Sequence, residues 1–254
     1  MKWTALAALL AIPACAAELK PKTVEAFERY IRETEQRLAD PKPFLWADES
    51  PDRAQRIKAG EIIVQPFRTK AVNPVPGGLV HDWVGSVFIP GVTLQRTLAM
   101  VQDYDRHKDV YKPEVIGSRV LSRNGNDFHI YLRLLKKKVI TVVLNSEHDV
   151  KYVPLDKTRW RSISRTTKIA EVEDAGKPNE SEKPAGQGEG FLWKLNSYWR
   201  FEERDGGTWV ECEAISLTRD VPTGLGWIVE PIIRDLPRES LANTLRATRS
   251  ALAK

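Results

Sequence analysis

Four polar residues are the candidates for chemistry in this sequence: His81, Arg200, Glu211 and Glu213. A histidine oriented by an acid can act as a general base, and Asp82 follows His81 directly. Neighbours in a strand point to opposite faces, however, so Asp82 cannot easily pair with His81, and Trp83 is the residue that shares its face. Packing or an ordinary hydrogen bond therefore explains His81 better than catalysis.

Glu211 and Glu213 would lie on one face of a strand, beside Arg200 of the preceding strand. Paired carboxylates can carry out acid–base catalysis. An Arg200–Glu213 ion pair at the sheet surface explains the same residues more simply. We therefore predict no catalytic residue. An enzyme would instead require these groups and His81 to face inward together.

The histidines and cysteines lack the spacing of metal ligands. The four histidines are His81, His107, His129 and His148, and none forms an H-x-x-x-H pair. The chain also has no C-x-x-C pair, no P-loop, no G-x-G-x-x-G motif and no G-x-S-x-G motif. We expect no metal site and no cofactor.

A long antiparallel hairpin over residues 191–220 organises the chain, with its turn predicted at Gly206-Gly207. The pairs counted outward from that turn are Phe201–Cys212, Trp199–Ala214 and Ser197–Ser216 on one face, and Arg200–Glu213, Glu202–Glu211 and Tyr198–Ile215 on the other. The first face sets large rings against small partners, whereas the second carries charges. We predict one dry face, against which the C-terminal segment packs, and one face in water.

Other segments follow from hydrophobic periodicity and turn residues. Predicted helices cover residues 23–39, 92–104 and 223–253, with Thr23 and Thr93 as N-caps and a kink or break near 234–237 caused by the prolines. Predicted strands cover residues 78–89, 115–123, 128–135, 139–148 and 160–172. We predict that residues 44–78 form a connection or lid and that residues 174–190 form a polar, mobile loop.

The charge and the N-terminus bear on partners and location. The net charge of +5 comes from basic residues that are interleaved with acids, so we expect no nucleic-acid partner. Residues 1–17 have the layout of a secretory signal peptide, with an A-x-A cleavage site at Ala14–Ala16 just before Ala17. We expect a periplasmic or secreted protein. The alternative is a lipoprotein anchored through Cys15.

The element order resembles the START-like, helix-grip superfamily that includes polyketide cyclases and coenzyme-Q-binding proteins. The segments that carry the resemblance are HDWVGSVFIPG, VQDYDRHKDVY, LNSYWRFEERDGGTWVECEAISLTRDVP and PRESLANTLRATRSAL. It implies an α+β fold in which a curved antiparallel sheet of about seven strands grips a long C-terminal helix. We assign residues 79–254 to this domain, with residues 18–78 as an added N-terminal helix and extended connection.

The resemblance also implies an internal cavity for a sterol, lipid, quinone or polyketide. Our predicted cavity wall consists of Trp83, Phe128, Leu132, Trp193, Trp199, Phe201 and Trp227. The expected function is non-enzymatic binding or transport of a hydrophobic small molecule or lipid, with the membrane surface as a further possible partner. A cyclase- or hydrolase-like enzyme in the same cavity and a structural domain with a filled core are the alternatives.

Overall fold

A computed structural model describes residues 17–68, 70, 72–137, 141–220 and 226–253 of the protein, and the side chains of the last range from residue 236 onward. The helices are α1 (Pro21–Ala39), α2 (Pro51–Lys58), α3 (Leu94–Val101), α4 (His107–Val110) and α5 (Gly226–Leu252), with single 3-10 turns at Trp46–Glu49 and Tyr104–Arg106. The predicted signal peptide and Cys15 lie outside the described residues, apart from Ala17.

Most strands join one antiparallel sheet. They are β1 (Ala17–Glu18), β2 (Ile63–Pro66), β3 (Val72–Val75), β4 (Gly78–Pro90), β5 (Val115–Asn124), β6 (Asp127–Lys137), β7 (Thr141–Pro154), β8 (Arg159–Glu173), β9 (Ser181–Glu182), β10 (Gln187–Gly188), β11 (Lys194–Arg204) and β12 (Gly207–Arg219). The main path runs β2-β4-β12-β11-β8-β7-β6-β5, and β3 also pairs with β4. This antiparallel sheet with its C-terminal helix is the α+β architecture predicted from the sequence.

Helix α5 packs on one face of the sheet, which we call the concave face. Leu241, Leu245 and Leu252 of α5 lie in the same core cluster as Val87 of β4. The helix crosses β4 at Gly85, where a Cβ atom would lie 2.8 Å from Leu245 Cδ1, so the close approach requires glycine. The predicted packing of the C-terminal segment against the dry face of the sheet is therefore confirmed. The helix continues through its prolines, so the predicted kink or break near residues 234–237 does not include a break.

Over β4, β11 and β12 the opposite, convex face is covered by parts of the N-terminal segment, residues 18–78, namely α1, the first 3-10 turn and α2. Phe27 and Ile31 of α1 are buried against Ile215 of β12, and Trp46 of the first 3-10 turn is buried in a second cluster with Trp209. The prediction of a face in water was therefore wrong. Strand periodicity indicates which residues share a face, but it does not reveal that a distant segment covers them.

The β11–β12 hairpin turns one residue earlier than predicted. Arg204 pairs with Gly207, and both Asp205 (φ 59°) and Gly206 (φ 76°) occupy the left-handed region that a type I′ turn requires. As a result Trp199 faces Cys212 and Arg200 faces Glu211, two positions away from the predicted pairs. Because the shift is even, each residue stays on its predicted face.

Two local predictions had different outcomes. The Thr93 hydroxyl caps α3 by accepting a hydrogen bond from the Arg96 amide (3.3 Å), as predicted. Helix α1 begins earlier, at Pro21, and Thr23 is buried within it and donates a hydrogen bond to the Pro76 carbonyl (2.6 Å). Thr23 therefore connects α1 to the edge of the sheet through a hydrogen bond and does not cap the helix.

Residues 174–190, predicted to be a loop, contain the short strands β9 and β10. Strand β9 pairs with the end of β8, and β10 pairs with β1. The buried carboxylate of Glu171 accepts hydrogen bonds from the amides of Glu189 (2.8 Å) and Gly190 (3.0 Å). These contacts hold residues 174–190 against the end of the sheet.

Candidate functional site on the concave face

The centre of the concave face is incompletely covered. Strands β8 and β11 lie in the middle of the sheet, yet some of their concave residues remain partly exposed. The partly exposed residues of this trough floor, together with their neighbours on β6 and β12, are Leu132, Ser164, Leu195, Ser197, Trp199 and Ala214. Residues in the middle of a sheet cannot be reached from its edges, so the exposure arises from unfilled space above the floor.

Five residues of the predicted cavity wall belong to this floor or lie beside it. Trp83, Phe128 and Phe201 are buried in the concave core cluster, and Leu132 and Trp199 pack against that cluster while staying partly exposed. The rings of Trp199 and Phe201 stack with their centroids 6.1 Å apart and their planes at 6°. The structure therefore brings these five together around one apolar trough.

The remaining two predicted wall residues do not join them in the described structure. Trp193 lies in the convex cluster with Phe27 and Leu217, so its predicted place on the concave face is corrected. It precedes the first residue of β11, and strand alternation therefore does not set its direction. The side chain of Trp227 lies outside the described residues.

Two buried histidines flank the floor on one row of the sheet. His81 of β4 faces Ser216 of β12, and His148 of β7 faces Thr166 of β8. His81 Nε2 lies 3.0 Å from Thr218 Oγ1, and His148 Nε2 lies 3.1 Å from Ser146 Oγ. In the described part of the chain, neither Nδ1 atom has a hydrogen-bond partner.

Burial lowers the pKa of both imidazoles to about 4, so both rings are neutral at neutral pH. Charged side chains of the described concave face lie towards the margins of the sheet. Arg123 stacks over the Phe128 ring, and Lys136 pairs with Glu114. The floor itself therefore offers hydroxyl and apolar groups but no charge among the described sheet residues.

A cleft of about 360 Å³ leads from the surface towards this core. It lies between the end of α3 and the β5–β6 hairpin. Its lining residues are Ala99, Gln102, Asp103, Tyr104, Asp105, Val120, Arg123 and Phe128. Tyr104 and Phe128 also belong to the concave core cluster, so the cleft ends against the wall of the trough.

The other three polar candidates lie on the convex face. Glu211 accepts hydrogen bonds from the amides of Trp46 (2.9 Å) and Ala47 (3.0 Å), and Arg200 Nε lies 3.1 Å from its carboxylate. Glu213 pairs with Arg37 of α1. All three candidates are buried, and the pKa of Glu211 is raised by that burial.

The prediction of a surface Arg200–Glu213 pair is therefore corrected. Arg200 is closer to Glu211 than to Glu213, whose nearest distance is 3.8 Å, and the pair lies beneath the N-terminal segment. Because His81 is on the other face, the four polar candidates do not form one cluster. The convex network attaches the N-terminal segment to the sheet, and sequence patterning missed it because the partners are far apart in the chain.

Asp82 sits beside this network and gives a testable pH dependence. The Tyr30 hydroxyl donates a hydrogen bond to its carboxylate (2.7 Å), while Glu213, Arg37 and Arg68 also act on it. Burial, followed by the charge of Glu213, raises the pKa of Asp82 to about 7. Since the folded-state pKa exceeds the unfolded value, the contribution of Asp82 to stability is present below about pH 4 and is lost as pH rises to about 7.

We expect Asp82→Asn to raise the free energy of unfolding at pH 8 by on the order of 2 kcal/mol and to raise it much less at pH 5. The amide keeps an acceptor for Tyr30 and removes the buried charge. Urea unfolding at both pH values measures the difference, with Asp40→Asn at an exposed position as the matched control. Equal effects of Asp82→Asn at the two pH values would contradict the assignment.

The described residues provide neither a metal centre nor a membrane-spanning helix. No group of three or more His, Cys, Asp or Glu side chains there is arranged to hold a metal ion. Among the same residues, no helix has the length and apolar character needed to cross a membrane.

Among known proteins, the matches to this chain are solved structures. No family model matches it, and no curated protein sequence matches it. A STAR-related lipid transfer protein from Xanthomonas axonopodis is 15% identical, with 73% of this chain and 100% of that chain covered and a TM-score of 0.46. Human STARD10 is 9% identical, with 78% and 79% covered and a TM-score of 0.44.

The Zhui aromatase/cyclase from Streptomyces is 11% identical, with 68% of this chain and 93% of that chain covered and a TM-score of 0.43. At these identities and TM-scores the similarities assign neither a family nor a function to this chain. The topology of the chain itself supplies the argument: a long first strand, short helices, a run of antiparallel strands and a final helix on the concave face. By this arrangement the chain has the helix-grip type of α+β fold that its sequence predicted.

Proposed function

We propose that the protein binds a hydrophobic small molecule or lipid in the trough between the sheet and α5 and does not change it chemically. The observation that carries the proposal is the partial exposure of Trp199 and Ala214 in the middle of the concave face. Large apolar surface in the centre of a sheet is normally covered by packing. Here the uncovered rings and methyl groups offer a ligand a surface that water solvates poorly.

The size of the expected effect is compatible with a specific carrier. Apolar burial contributes roughly 0.8 kcal/mol per methylene group. A chain of about ten methylenes would therefore gain on the order of 8 kcal/mol, which sets an upper limit near micromolar affinity before the costs of ordering the ligand are subtracted. No ion pair with the protein is needed for such binding.

Filling the trough provides the test. We expect Ala214→Phe to weaken binding of the neutral dye Nile red at least tenfold, because the new ring occupies the space above the floor. The same substitution at exposed Ala39 on α1 is the matched control and should leave binding unchanged. Fluorescence titration measures both, and native mass spectrometry of protein purified from its own host looks for a bound lipid. Unchanged binding in Ala214→Phe, or no binding at all by the wild type, would contradict the proposal.

No observation favours the enzymatic alternative, since Arg200, Glu211 and Glu213 lie on the opposite face from the trough. The same titration distinguishes an open trough from the alternative of a filled core. A filled trough would bind no dye, and Ala214→Phe would then destabilise the fold by overpacking instead.

We also propose that the protein is exported after cleavage next to Ala17. Ala17 and Glu18 pair with Gly188 and Gln187, and the Leu19 amide donates to the Gly186 carbonyl (2.8 Å). A chain cleaved at this point would begin within the folded structure. The intact mass of protein from the periplasmic fraction is expected to match a chain that starts near Ala17, whereas a lipidated Cys15 would add the mass of acyl chains.

A further inference from the structure

Two serines face each other on the trough floor. Ser197 of β11 pairs with Ser164 of β8, and the same row continues to Ala214 on one side and Val150 on the other. Both serines are partly exposed even though their strands are central in the sheet. Two hydroxyl groups therefore stand side by side in the open part of an otherwise apolar trough.

These hydroxyls keep hydrogen-bonding capacity. Ser197 Oγ accepts a hydrogen bond from Trp199 Nε1 (3.2 Å), which leaves its own proton available. The Ser164 hydroxyl has no partner among the described residues and can both donate and accept. Together they match a ligand group that is itself a donor or acceptor, such as a hydroxyl or a carbonyl.

The surroundings of the two serines disfavour a charged group. The rows on either side contribute Trp199 and Cys212 or Leu195 and Ser216, none of which carries charge. A carboxylate or phosphate brought to this floor would lose its hydration without gaining a counter-ion from the described sheet residues, which disfavours its binding. An uncharged polar group loses much less and regains hydrogen bonds from the serines.

We propose that Ser164 and Ser197 form a subsite for the uncharged hydroxyl or carbonyl end of an otherwise apolar ligand, and that the trough discriminates against anionic lipids. This inference rests on the proposed function and specifies its ligand class. The serines act as binding residues that select the end group, while Trp199 and Ala214 contact the apolar body.

Three pyrene-labelled chains of equal length, ending in a methyl group, a hydroxyl group or a carboxylate, test the inference at pH 7. We expect the hydroxyl probe to bind the wild type at least tenfold more tightly than the carboxylate probe. The double variant Ser164→Ala, Ser197→Ala should lose about threefold to tenfold in affinity for the hydroxyl probe and none for the methyl probe. Ser122→Ala, at an exposed position of β5, is the matched control.

The outcomes separate this inference from the proposed function. Equal or tighter binding of the carboxylate probe would overturn the subsite, as would a double variant that keeps the full preference for the hydroxyl probe. Failure of all three probes, including the methyl probe, would overturn the binding function and the subsite together. Circular dichroism of each variant confirms that the serine substitutions leave the fold intact.

Discussion

Glu211→Ala is expected to lower the free energy of unfolding by about 3–5 kcal/mol, because it breaks a buried ion pair and leaves its partners unsatisfied. The side chain of Glu211 is fully buried and holds Arg200 Nε at 3.1 Å. It also accepts the amide hydrogens of Trp46 and Ala47, which fall in the N-terminal segment. Without the carboxylate, a buried guanidinium loses its counter-ion and two amides lose their acceptor.

Urea unfolding at pH 7 measures this loss of stability. Two further variants serve as a surface control and as a test of the coupling between Arg200 and Glu211. Glu61→Ala removes the acid of an exposed pair with Arg56 and should change stability little. The double variant Arg200→Leu, Glu211→Leu should cost less than the sum of its single variants, since no charge is then left unpaired. A loss in Glu211→Ala as small as that in Glu61→Ala would show that the network does not hold the segment.

Phe27→Ala is expected to lower the free energy of unfolding by about 3–5 kcal/mol, although Phe27 lies outside the predicted helix-grip domain. Its side chain has 0% exposure and packs between α1 and the convex face, in the cluster that contains Val80 and Ile215. Removing the ring leaves a cavity that the rigid sheet cannot close.

The matched control is Gln36→Ala on the exposed side of α1, which should change stability by less than about 0.5 kcal/mol. Both variants are measured by urea unfolding with the same probe. If α1 were a detachable lid, Phe27→Ala would leave the main transition of the sheet unchanged and would affect only an earlier, separate transition. A single transition shifted to lower urea supports an N-terminal segment that folds with the sheet.

The charged residues of β12, Glu211 and Glu213, are explained by the partners that lie beside them under the N-terminal segment. Glu211 and Glu213 alternate with Val210 and Cys212, a pattern that is typical of a strand with one face in water. In the structure both faces are buried, and the charges on the convex side meet Arg200, Arg37 and backbone amides. A buried carboxylate is stable only with such partners, so the segment and the sheet depend on each other.

The sequence by itself determined the order of the main strands and helices and the face on which each hairpin residue lies. It did so because alternation and helical spacing are local properties, and because an even shift in register leaves both faces intact. It also grouped Trp199, Phe201, Phe128, Leu132 and Trp83 in one predicted cavity wall, and the structure brings these five together in or against one core cluster.

Only the tertiary structure decided what covers each face. The contacts between Glu211 and Trp46, between Arg37 and Glu213, and between Tyr30 and Asp82 each join residues that are far apart in the chain. The Ser164–Ser197 pair likewise depends on the pairing of β8 with β11 across the intervening loop. Such pairings follow from the packing of the whole chain rather than from any local pattern, and for that reason periodicity could predict the faces of the sheet but not their partners.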